Sequence, residues 1–277
     1  VTLTRPEVRR LLHEHGLRPD RALGQHFVAD PNTVRRIVRV AGVEPGTPVV
    51  EIGAGLGSLT VALAEAGARV VAVETDRRLV PVLRSVVSPW PVEVVEADAF
   101  HLDWPALLGP EEEWWLVANL PYNVATPLVL LVLDQVARVR HLTVMVQREV
   151  GERMAAAPGD PAYGAVSVRI AYWARASLVG RVPATVFVPR PRVDSVLVRI
   201  ERRPAPAVDP GTVGYDRLVR VVRAGFGQRR KMLRRSLAGV VDHAAFAGTG
   251  ISPEARAEEL TVQEWGRLAA WGTGGVR

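Results

Sequence analysis

The sequence predicts an α/β protein: a Rossmann-like, doubly wound sheet followed by a small helical domain. Two patterns carry that expectation, the alternation of Val-rich runs with helix-period segments before residue 203 and a purely helical period after it. The apolar runs are Pro48 to Ile52, Arg69 to Val73, Val92 to Val95, Trp114 to Ala118 and Leu142 to Val146. Several are continuous, as strands buried on both faces of a parallel sheet are. Between them, Ser58 to Ala66, Arg77 to Val86 and Pro127 to Val136 repeat apolar residues at helical spacing, which gives βαβ units. Two further strand candidates, Ala184 to Val188 and Val193 to Ile200, are expected to complete the sheet. The stretch Arg203-Pro204-Ala205-Pro206-Ala207 marks the boundary, dividing the chain into domains 1–203 and 204–277. Beyond it, helices are expected near Tyr215 to Phe226, Arg229 to Leu237, Pro253 to Glu259 and Val262 to Trp271.

Composition narrows the chemistry. The 277 residues include no Cys, which excludes disulfides, thiolate metal sites and a Cys nucleophile. The six His show no ligand spacing backed by carboxylates, so no metal is expected. No apolar run is long enough to span a bilayer and none near the amino terminus resembles a secretory signal, so the expected setting is the cytoplasm, away from membranes. All but one of the 35 basic residues are Arg, the exception being Lys231. Residues 190–240 hold 13 basic against 4 acidic side chains, a local balance of +9 in a chain whose net charge is +6. That segregation suggests a face for a polyanion, with guanidinium groups suited to phosphate.

The first strand ends in Glu51-Ile52-Gly53-Ala54-Gly55-Leu56-Gly57-Ser58, a strand, a Gly-rich turn and a helix start. Such a loop lets a nucleoside-type cofactor approach the backbone. Position 58 is Ser where the dinucleotide fingerprint needs its third Gly, and no Gly-Lys-Ser/Thr follows, so NAD and Walker-type nucleotide sites are disfavoured. Glu74 ends the second strand 21 positions after Gly53 and can accept ribose hydroxyls. Asp98, beside Ala99 at the end of the third strand, is placed to meet an exocyclic adenine amine. Three such sites on successive strand ends favour S-adenosylmethionine.

The fourth strand runs into Asn119-Leu120-Pro121-Tyr122. This tetrapeptide suits methylation of an exocyclic amine, whose lone pair is delocalised into the ring and whose N–H groups are its handles. The Asn119 side-chain oxygen and a backbone carbonyl at Leu120 or Pro121 can accept those hydrogens, while Tyr122 offers a stacking face.

With these motifs the chain resembles the small-subunit (16S) rRNA adenine N6,N6-dimethyltransferases, relatives of the macrolide-resistance large-subunit rRNA methylases. The resemblance runs from Leu23-Gly24-Gln25-His26-Phe27-Val28 through the Gly loop and the tetrapeptide. It returns at Phe187-Val188-Pro189-Arg190-Pro191-Arg192-Val193-Asp194-Ser195 and at Phe226-Gly227-Gln228-Arg229-Arg230-Lys231, and these later segments favour the small-subunit branch. It implies cofactor contacts at His26, Val28, Gly53, Glu74, Asp98 and Asn119, with Gln25, Glu51, Gly55, Gly57 and Ala99 completing the set; His26 stands where the family has Asn. It also implies that Tyr122 and Phe187 sandwich a flipped adenine, although Phe187 could equally belong to the core of its strand. Arg229, Arg230, Lys231, Arg234 and Arg235, read as one helix with 230 beside 234 and 231 beside 235, are expected on rRNA phosphates, and Arg5, Arg9, Arg10, Arg18 and Arg21 form a candidate second anchor.

The implied activity is transfer of methyl groups from S-adenosylmethionine to N6 of two adjacent adenosines in a 16S rRNA hairpin, within the 30S subunit, by a monomer. The competing readings are a 23S rRNA methylase conferring macrolide resistance, a 30S assembly checkpoint acting mainly by binding, and adenine methylation of DNA.

Overall fold

The computed structural model describes residues 2–20, 23–109, 113–121 and 123–271. The chain forms two compact units, each discontinuous in sequence: Val1–Gly151 with Ser177–Glu201, and Glu152–Ala176 with Arg202–Arg277. The division therefore differs from a single cut at 203/204, because residues 152–176 belong with the C-terminal unit. Their placement is set by long-range packing: α8 (Ala165–Trp173) places Val168 and Tyr172 in the same apolar cluster as Leu218, Val222 and Trp265, far along the chain. No linear composition boundary reports such an excursion.

The first unit opens with α1 (Arg5–Glu14), β1 (Phe27–Val28) and α2 (Pro31–Ala41). Then β2 (Pro48–Ile52), α3 (Ser58–Glu65), β3 (Arg69–Glu74), α4 (Val80–Val87), β4 (Glu93–Glu96), α5 (Trp104–Leu108), β5 (Trp114–Asn119), α6 (Ala125–Gln135) and β6 (Val139–Gln147) follow in the expected alternation. With β7 (Ala174–Val182) and β9 (Ser195–Arg202) the sheet has the order β4-β3-β2-β5-β6-β9-β7. Strands β4 to β6 in that order are parallel and β9 pairs antiparallel with β6. The chain winds outward from β2 on one side, then returns to place β5 on its other side. That reversal opens a crevice at the carboxyl ends of β2 and β5, where ligands of such sheets bind. Central strands are apolar up to their carboxyl ends: Val49, Val50, Val117 and Ala118 have no exposed surface, and the polar Glu51 and Asn119 come late in β2 and β5.

The 184–188 segment departs from the expected sheet strand. Ala184–Val186 is a 3₁₀ turn whose first amide donates to Asp194 Oδ1 at 2.9 Å, and only Phe187–Val188 (β8) is extended, pairing with β1 outside the main sheet. Pro183, Pro189 and Pro191 bound this segment and remove the amides a ladder needs.

The second unit is helical: α7 (Arg148–Ala155) leads into it, followed by α8, α9 (Tyr215–Gly227), α10 (Leu233–Ser236), α11 (Ala244–Thr249) and α12 (Val262–Ala270). The expected helix over 229–237 is a correction. Helix α9 stops at Gly227, a turn closes from Lys231 N–H to Gln228 O at 2.8 Å, and α10 begins only at Leu233. Met232 forms a bridge with Arg256, and Leu233 and Arg234 donate to Ala255 and Pro253 carbonyls at 2.8 and 3.0 Å. Breaking the helix here avoids stacking like charges at i,i+4. Residues 253–259 likewise hold only a short 3₁₀ turn, Ala257–Glu259.

Candidate active site

The Gly loop supplies the first wall. Gly53, Gly55 and Gly57 have φ of +73°, +60° and +89°, a region L side chains avoid, so the loop's path requires them. The amides of Gly53 and Ala54 both donate to Val73 O, at 2.9 and 3.2 Å, which ties the loop to β3. Ser58, the first residue of α3, anchors the other end by donating its hydroxyl to Val28 O at 2.7 Å.

Glu74 forms the second wall and is 5 % exposed. Its Oε2 accepts from Gly55 N–H at 2.7 Å and its Oε1 from Asp76 N–H at 2.8 Å. Each oxygen keeps a lone pair, because a carboxylate offers about four acceptor positions. Burial raises its pKa, while the two amides oppose that shift. Asp76, two residues on, is braced by Arg78 through its backbone amide at 3.0 Å and two guanidinium hydrogen bonds at 2.9 and 2.7 Å, and by Gln25 Nε2 at 2.8 Å. Arg78 is the main cause that holds this carboxyl down at about 2. Gln25 also accepts from Asp20 N–H at 2.8 Å, so its carboxamide bridges Asp20 and Asp76.

Asn119 ends β5 opposite the Gly loop. Its Nδ2 donates to His26 O at 3.0 Å, which fixes the carboxamide and leaves Oδ1 as its acceptor end. The His26 ring is held separately, Nδ1 to Pro189 O at 2.8 Å; since a carbonyl only accepts, Nδ1 carries the proton. The Leu120 amide donates to Met145 O at 3.1 Å, and the Pro121 carbonyl receives the amides of Val124 and Ala125, at 3.2 and 3.1 Å, as α6 begins. A Cβ on Gly53 would stand 3.9 Å from both Asn119 O and Pro121 Cδ, so the missing side chain is the space between loop and tetrapeptide.

One cavity joins these elements, walled by residues 23–28, 51–56, 73–75, 97–100 and 119–121. It gathers Gln25, His26, Val28, Glu51, Gly53, Gly55, Glu74, Asp98, Ala99, Asn119, Leu120 and Pro121. Two expected members stand apart. Gly57 faces α4, where a Cβ would meet Leu83 Cδ1 at 3.0 Å, so it serves the turn and the packing rather than the cavity. Phe187 is 1 % exposed in the core cluster with Val28, Leu197 and Met145, so in this structure its ring has no free face for a base. Tyr122 and Arg21 lie outside the described residues.

The acids of the cavity differ sharply. Asp98 is exposed, with Oδ1 accepting from Phe100 N–H at 3.0 Å and Oδ2 lying 3.1 Å from His101 Nδ1. Glu51 is 2 % exposed and its Oε2 has no hydrogen-bond partner. Burial, reinforced by Glu74, pushes its carboxyl up to about 8. The spacing pattern found Glu74 and Asp98; the brace of Asp76, Gln25 and Arg78 left no comparable signal, because it joins residues 51 positions apart.

In the second unit the basic cluster is not uniform. Arg229 pairs with Glu258 at 2.6 Å and donates to Pro161 O at 2.7 Å. Arg234 lies 3.8 Å from Glu254. Among the described residues, Arg230, Lys231 and Arg235 have no carboxylate partner and are exposed.

The chain is similar over most of its length to several known proteins. A protein of Leifsonia xyli subsp. xyli named Ribosomal RNA small subunit methyltransferase A is 48% identical, covering 95% of this chain and 96% of its own. A protein of the same name from Kineococcus radiotolerans is 47% identical over 99% of this chain and 93% of its own. The crystal structure of the 23S rRNA methyltransferase ErmE superposes with a TM-score of 0.70 at 27% identity, covering 88% of this chain and 98% of that one. A dimethyladenosine transferase from Plasmodium falciparum shares the fold, with a TM-score of 0.72 at 23% identity over 88% and 96% of the two chains. The sequence profile described as Ribosomal RNA adenine dimethylase matches residues 17–273, and with relatives this similar over nearly the whole length the chain belongs to that family.

Proposed function

We propose that the protein dimethylates N6 of two adjacent adenosines in a hairpin near the 3′ end of 16S rRNA, using S-adenosylmethionine and acting on the 30S subunit. The single observation that carries the chemistry is the Asn119 carboxamide, pinned by its nitrogen on His26 O so that its oxygen remains to receive an amine hydrogen. Of the two backbone candidates, Pro121 O already receives two amides, so the Leu120 carbonyl is the second acceptor. Together they would orient the amine's hydrogens and direct its lone pair, which is where positioning lowers the barrier.

The residues fit the cofactor. Glu74 retains a lone pair on each oxygen for ribose hydroxyls, the exposed Asp98 carboxylate can accept from an adenine amine, and the absent side chain at Gly53 leaves room beside Asn119. When bound, S-adenosylmethionine supplies an activated methyl on a sulfonium, so the protein needs no metal and no strong base. After one transfer the amine keeps a single hydrogen, which one of the two acceptors still holds. The 48% identity to a small-subunit enzyme, against 27% to a large-subunit one, supports the small-subunit substrate. On this reading the enzyme works as a cytoplasmic monomer, and Arg230, Lys231 and Arg235 of the second unit meet rRNA phosphates.

The test is transfer of tritiated methyl groups to unmethylated 30S particles, with 50S particles alongside, followed by nucleoside analysis. Dimethyladenosine in 30S alone is expected. Labelling of 50S alone would move the assignment to the large-subunit branch.

A further inference from the structure

The first unit carries a basic face that the cavity does not use. Helix α2 reads Pro-Asn-Thr-Val-Arg-Arg-Ile-Val-Arg-Val-Ala: three Arg and no acid within the helix. Val34, Ile37 and Val38 are buried, which turns Arg35, Arg36 and Arg39 to the solvent side, and all three are exposed. Arg35 and Arg39 are four apart and Arg36 and Arg39 three apart, so like charges stand as neighbours on one helix, an arrangement that disfavours it.

A fourth Arg joins them from the sheet. Arg36 Nη1 donates to Arg181 O at 3.0 Å, and the Arg181 side chain is itself exposed at the end of β7. The guanidinium of Arg36 lies so close over Gly180 that a Cβ there would come within 2.2 Å of Nη2. Arg35 Nη2 donates to Thr2 Oγ1 at 3.2 Å. These contacts are to neutral oxygens. Among the described residues none of the four pairs with a carboxylate, and the flanking Asp30 is occupied as the N-cap, accepting from Thr33 N–H at 2.9 Å. The helix dipole accounts for Arg39, which sits in the last turn, but not for Arg35, Arg36 or Arg181.

We propose that the face formed by Arg35, Arg36 and Arg39 of α2 and Arg181 of β7 binds the phosphate backbone of the substrate RNA, so that the catalytic unit grips RNA directly. A guanidinium seated by one nitrogen on a carbonyl keeps its other N–H groups in a fixed plane, suited to phosphate oxygens. Phosphates would also relieve the like-charge crowding that the fold otherwise leaves uncompensated. Location agrees: α2 begins three residues after Val28, which walls the cavity, so the amino end of this helix is tied by a short link to the cavity wall. The proposal rests on the rRNA reading above.

The experiment measures binding of the full-length protein to naked 16S rRNA and to unmethylated 30S particles across a salt series, for the wild type and for Arg36→Gln/Arg39→Gln. Loss of two phosphate contacts is expected to lower the slope of log affinity against log salt by about 1.4 to 1.8. Affinity for S-adenosylmethionine, and the melting temperature, should stay at their wild-type values. The Arg36→Lys/Arg39→Lys variant, which keeps the charge, should keep most of the slope. Gly180→Ala, which unseats Arg36 without changing any charge, should weaken binding less than the double Gln variant. An unchanged slope in the double Gln variant overturns the proposal, as does a loss confined to 30S particles with naked rRNA unaffected, which would mark a ribosomal-protein contact. Failure of the wild type to bind either RNA would instead break the rRNA reading itself.

Discussion

The cavity of the first unit and the basic segment 228–235 of the second are built on opposite terms. In the cavity the polar groups are fastened before any ligand arrives: Glu74 to two amides, Asn119 to a carbonyl, Gln25 at both ends. In the basic segment Arg230, Lys231 and Arg235 project from a turn and a short helix with no carboxylate partner among the described residues. The difference teaches where rigidity is required. Methyl transfer depends on alignment, so its groups are pre-set by the backbone. Phosphate binding draws on charge at long range, so it does not require every basic side chain to be fastened in advance.

Removing a pre-set group should therefore have the largest effect. Asn119→Ala is expected to lower methyl transfer to 30S particles by about 10² to 10³-fold, as loss of one oriented polar group does. Binding of S-adenosylmethionine, followed by calorimetry, should be weakened yet measurable. Full activity in this variant would remove Asn119 from the proposed role and with it one side of the comparison.

Within the basic segment the same logic separates neighbours. Arg230→Gln/Lys231→Gln should lower the salt slope of rRNA binding by about 1.4 to 1.8 while leaving the melting temperature alone. Arg229→Gln should act on stability instead, costing up to about 1 kcal/mol, because this partly exposed pair with Glu258 is its main engagement. Equal effects of the two variants on RNA affinity would show that the segment is undifferentiated charge.

Phe187 sharpens the comparison from the other direction. If its ring serves the core, as its burial indicates, Phe187→Leu should destabilise by about 1 to 2 kcal/mol and leave methyl transfer intact. A transfer defect without a stability defect would return the ring to the site.

Stability is also expected to drift with pH. Glu51 holds its proton in the folded state up to about pH 8, while an unfolded carboxyl releases it near 4.5. The folded state then binds more protons between those values, so stability is full below about 4.5 and is lost as pH rises to about 8. Glu51→Gln should flatten the melting temperature across that interval and raise it at the alkaline end. A wild-type profile that rises with pH over the same range would contradict a neutral Glu51.

Much of the catalytic unit was legible because its signals are local. A buried parallel strand announces itself as a Val-rich run, and a Gly loop followed by an acid at the next strand end recurs at a spacing set by one βαβ unit. Hence β2 matches its expected bounds, and Glu74 and Asp98, picked out by their spacing, both line the cavity. What the local motifs left undecided shares a cause. Gly57 looked like the other loop glycines, but its Cβ direction meets α4, a fact no single segment contains. Phe187 sits in a motif yet faces the core, because β8 pairs with β1 about 160 residues away. The continuous helix expected over 229–237 ignored the bridge from Met232 to Arg256, which ends it.

The amino-acid sequence by itself determined the alternation of strands and helices in the βαβ units, the loop conformation that only Gly permits, and the types of group that face the ligand edge. Tertiary structure decided which of those groups are held, which are spent on neighbours and which stand open to a partner. The reason is physical: backbone preference and periodicity act over a few residues, whereas burial, hydrogen-bond partnership and charge pairing are properties of whatever segments the fold brings together.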